Sequence, residues 1–97
     1  NVADYSKRIF RMFSGETETV KLQFDNSLIN VVIDRFGKDI VINRQDDDHF
    51  IITVDVVATN TFLGWLFMFG EKVKILSPEH LINDMKTIAK RVADLYE

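Results

Sequence analysis

The sequence predicts an α+β domain of order β-α-β-β-α-β, a four-stranded antiparallel sheet with helices on one face, with a further helix at each end. Three observations predict it. Apolar side chains alternate with period two over residues 20–25 and then recur at helical spacing over 28–36. Two strand-like runs flank the polar tip Gln45-Asp46-Asp47-Asp48-His49. Gly37, Gly70 and Ser77-Pro78 interrupt the chain where the periodicity changes.

The elements follow in order. Residues Asp4 to Met12 have helical spacing, with Tyr5, Ile9, Met12 and Phe13 on one side and Lys7, Arg8 and Arg11 elsewhere; Ser14-Gly15 stops them. Val20, Leu22 and Phe24 face one way and Lys21 and Gln23 the other, as in a half-buried strand. Asn26 and Ser27 are N-cap candidates, since their side chains accept from the free N–H groups of a first turn. Leu28, Val32 and Phe36 lie at i, i+4 and i+8, and Gly37 suits a left-handed C-terminal cap. Strands are expected over Asp39 to Arg44 and Phe50 to Thr59. Asn60-Thr61 caps a short helix, Phe62 to Phe69, closed by Gly70. Lys72 to Leu76 reads as the last strand. Ser77 as N-cap, Pro78 in the first helical position and Glu79 against the positive helix end open a final helix. Leu81, Met85, Ile88, Val92 and Leu95 form its apolar stripe. This split βαβ pattern is that of the ferredoxin-like sandwich.

Composition narrows the function. Ninety-seven residues make one small domain, and a hydrophobic fraction of 46% with a net charge of −3 excludes intrinsic disorder. The acidic balance, even between the two halves, excludes a protein that coats nucleic acid by itself. With no cysteine there is no disulfide, thiol catalysis, zinc finger or iron–sulfur site, and a reducing cytoplasm is the expected compartment. No apolar run approaches a membrane span. The chain starts at Asn1 without an initiator Met or signal region and reads as an excised domain.

Catalytic and metal chemistry find little support in the pattern. His49 and His80 are the only histidines, and a His80/Asp84 pair at i, i+4 falls short of the three or four ligands a metal needs. Asp46 to Asp48 lack the alternating ligands, turn Gly and closing Glu of an EF-hand loop. No G-x-S-x-G elbow or phosphate-cradling glycine loop occurs. Asp25-Asn26-Ser27 stands where an acylphosphatase would carry its glycine-rich loop and arginine. The strand from Phe50 has one aromatic and no RNA-recognition motif. No catalytic residue and no cofactor is expected.

The informative segment is Phe62-Leu63-Gly64-Trp65-Leu66-Phe67-Met68-Phe69, which holds no charge. Phe62, Trp65, Leu66 and Phe69 make one apolar face, and Leu63 and Phe67 fall largely outside it. A surface helix should be polar on its outer side, so an all-round apolar helix asks for a second partner surface. Phe62, Leu63, Trp65, Leu66, Phe67 and Phe69 are the candidate interface residues. Trp65 and Phe69 are expected in the core, and Leu63 and Phe67 at the interface. Lys7, Arg8 and Arg11 are candidate nucleic-acid contacts.

Phe62-Leu63-Gly64-Trp65-Leu66, Phe69-Gly70, Val73-Lys74-Ile75-Leu76-Ser77-Pro78-Glu79 and Leu81 resemble the C-terminal extension (WCX) domain of WYL-domain, helix-turn-helix bacterial transcriptional regulators. Tyr96 matches the terminal Tyr of that pattern, and Val20 to Asp25 its opening strand. The resemblance spans residues 18–97, with 1–17 as a linker from a preceding WYL domain. It implies a cytoplasmic, non-catalytic regulatory and self-association module that couples effector sensing in the neighbouring domain to the arrangement of a homodimer. Its partners would be a second copy and the WYL and helix-turn-helix domains of the same full-length chain; DNA would be met only through the N-terminal domain, and no membrane is involved. The alternative is a small-molecule sensor of amino-acid or nucleotide type on the same fold.

Overall fold

A computed structural model describes residues 17–97. The helix expected over Asp4 to Met12, the linker up to residue 16, and Lys7, Arg8 and Arg11 lie outside the described residues. Strand β1 (Glu18–Asp25) leads through a 3-10 turn (Asn26–Leu28) into helix α1 (Ile29–Phe36). The hairpin β2 (Val41–Arg44) and β3 (His49–Val56) follows, then helix α2 (Asn60–Phe67). A second 3-10 turn (Gly70–Lys72), strand β4 (Val73–Ser77) and helix α3 (Glu79–Asp94) complete the order. The sheet runs β2-β3-β1-β4 with every neighbour antiparallel, the ferredoxin-like α+β sandwich that the pattern predicts.

Period-two alternation decides which face is covered. Val20, Leu22 and Phe24 on β1 lie opposite Val54, Ile52 and Phe50 on β3, and all six are buried. Phe24 and Phe50 stack with ring centroids 5.6 Å apart. On the other side Leu22 faces Ile75 of β4, past a register shift at Lys21/Leu22. The helices close this layer with Leu28, Val32, Phe62, Leu63, Leu66 and Leu81. Burying a side chain the size of Phe24 or Leu22 is worth about 1.5–3 kcal/mol, so this strip is the main stabilising surface. The opposite face is polar where it pairs, as in Thr19, whose hydroxyl donates to Asp55 Oδ1 at 2.6 Å.

Several boundaries depart from the expected ones, for local reasons. The first turn is capped by Asp25, not by Asn26 or Ser27: its carboxylate accepts from the Ser27 N–H at 2.9 Å and from the Ser27 hydroxyl. Likewise Thr59 Oγ1 accepts from the Phe62 N–H at 3.3 Å, so α2 begins at Asn60, and it ends at Phe67 rather than Phe69. Ser77 belongs to β4, and Pro78 is the cap residue of α3, without a side-chain hydrogen bond. Gly37 donates its N–H to the Ile33 carbonyl at 2.8 Å with φ 86°, but ψ 164° sends the chain outward instead of through a left-handed helical turn. Strand β2 is shorter than expected, since only Val41 to Arg44 find partners on β3. Strand β3 begins at His49 and stops at Val56, because Val57 accepts from Thr59 in a turn.

Phe24 touches the facing strand and the helix layer at once, through Phe50 and Trp65. Phe24→Ala is therefore expected to lose about 3–5 kcal/mol of unfolding free energy in a urea titration. Thr59→Ala, which removes one helix cap, should lose about 1 kcal/mol.

Candidate docking surface

Beyond Asn60 and Thr61 in its first turn, helix α2 carries only apolar side chains and Gly64. Phe62, Leu63 and Leu66 are buried. On one flank of that stripe Trp65 reaches α1. Its ring meets Phe36 edge-on at 5.6 Å and Phe69 at 5.1 Å, and the Arg35 guanidinium lies 5.0 Å above it. The indole thus brackets α1 to α2, with a cation–π contact over its exposed side. On the other flank Phe67 is 54% exposed, and Met68 beyond it is 66% exposed.

These positions divide the six predicted interface residues. Phe62 and Leu66 are core, while Trp65 and Phe69 are half-buried in the aromatic bracket. Leu63 was expected to stand outside the buried stripe, and the structure corrects this: it is 4% exposed. The reason is α3, which packs beside α2 and brings Met85, Ile88 and Ala89 to the side where Leu63 points. A helix covered by a sheet alone buries a narrower stripe than one covered by a sheet and a second helix. Phe67 remains the exposed member.

Phe67 stands between two apolar grooves. One, of about 310 Å³, lies between the end of α2, β4 and α3, over Leu66, Ile75 and Ile82. The other, of about 320 Å³, runs between α2 and α3 along Leu63, Met68, Ile88 and Val92. Phe67 and Met85 line both. Polar side chains are few: Lys74 and Lys86 border the first groove and Asn60 the second. The apolar stripe of α3 emerges from cover along its length. Leu81 is fully buried, Met85 and Ile88 are half-buried, Val92 is 44% exposed and Leu95 is 78% exposed. Contiguous apolar surface of this kind marks an interaction site.

The charged clusters serve local structure. Asp46 folds the β2–β3 loop on itself: its Oδ1 accepts from the N–H groups of Asp48 and His49, each at 2.8 Å, and lies 2.9 Å from His49 Nδ1. The Asp48 N–H, then the His49 side chain, hold the Asp46 carboxyl below its ordinary value of 3.8. Arg44 Nη2 reaches Asp47 Oδ1 at 2.6 Å. The Ser27 hydroxyl and N–H likewise hold the Asp25 carboxyl low. His80 Nε2 lies 2.7 Å from Glu18 Oε1, which ties the first turn of α3 to the start of β1, a contact no local pattern announces. Among the described residues no three His, Asp or Glu converge as metal ligands, and no helix is long and apolar enough to cross a membrane.

A family model for the WCX domain matches residues 16–93. No curated protein matches the chain.

Two substitutions on α2 should separate the buried from the exposed flank. Leu63→Glu places a charge in the core and is expected to abolish the cooperative thermal transition, whereas Phe67→Glu should stay within about 1 kcal/mol of the parent. Acid stability tests the loop. Because the Asp46 carboxyl is lowered in the folded state, its contribution is intact above pH 3.8, declines as the pH falls below that, and is gone beneath the lowered value. Asp46→Asn should therefore make the acid limb of the stability profile shallower and leave its slope at neutral pH unchanged.

Proposed function

The chain belongs to the WCX domain family, and on that premise we propose that it is a non-catalytic regulatory and self-association module of a DNA-binding transcriptional regulator. The observation that carries this reading is the apolar face of α2 and α3 that is exposed among the described residues, with Phe67 and Met68 standing proud of it. A domain that acts alone gains nothing from such a face, whereas one that transmits a signal needs a surface on which a neighbour docks. In this account the adjoining WYL domain, implied by the resemblance, packs on the Phe67 ridge. Effector capture there shifts the docking equilibrium, and the shift changes how two copies of the regulator are arranged, and so the spacing of their helix-turn-helix heads. The protein works in the cytoplasm and meets DNA only through those heads.

The chemistry of the grooves favours docking over small-molecule sensing. An amino acid or nucleotide needs several converging donors and acceptors, and the groove along Leu63 and Val92 offers one polar side chain, Asn60. A protein surface needs only shape and apolar area there. Covering Phe67 and Met68 would contribute about 1.5–3 kcal/mol apiece if complete.

The chain has no cysteine, so a thiol introduced by Met68→Cys is unique in it. The variant is labelled with a maleimide in this chain and in a full-length regulator freed of other cysteines. Labelling about tenfold slower in the full-length protein is expected, since a covered thiol is protected. Equal rates would remove the docking role of this face.

A further inference from the structure

We draw no further inference here: the strongest candidate, the apolar groove between β4 and α3 that Lys74 and Lys86 border, belongs to the docking surface already described, and nothing in the structure shows what chemistry its occupant would carry.

Discussion

Helix α2 holds no charge and, beyond Asn60 and Thr61, no polar side chain, and a two-layer domain of this size covers only part of a helix that rests on its sheet. This mismatch governs the rest of the structure. The inner strip of β1 and β3, stacked at Phe24 and Phe50, takes Phe62 and Leu66. The remaining flanks of α2 need other cover. Trp65 finds it against Phe36 of α1 beneath Arg35, and Leu63 finds it against α3. Phe67 and Met68 find little among the described residues. The exposed ridge is the residue of a packing problem solved on three sides out of four.

Helix α3 extends the same logic. Its stripe begins buried at Leu81, where His80 anchors it to Glu18, and ends exposed at Leu95. Val92 in its last turn and Leu95 just past its end are apolar and exposed. Together α2 and α3 make one continuous face that meets at Phe67 and Met85.

Much of this was legible in the sequence. Alternation in Val20 to Phe24, helical spacing from Leu28 to Phe36 and the Ser77-Pro78 break helped to predict the order of elements along the chain, since each is a local signal. Two of the features that escaped depended on partners distant in the chain. Leu63 looks peripheral on a helical wheel and is buried because α3 returns beside it. Glu18 and His80 meet from opposite ends of the domain. The true caps, Asp25 and Thr59, each sit one residue before the expected ones, where an extended residue reads equally well as the end of a strand or loop.

Amide hydrogen exchange tests most directly whether the α2/α3 face is a surface that docking covers. Exchange at residues 66–69 would be followed in this chain alone and in the full-length regulator. The account predicts that this segment exchanges more slowly in the regulator, while Val20, Leu22 and Ile52 in the core change little. Unchanged exchange at residues 66–69, with protection gained on the polar outer face of the sheet instead, would contradict it.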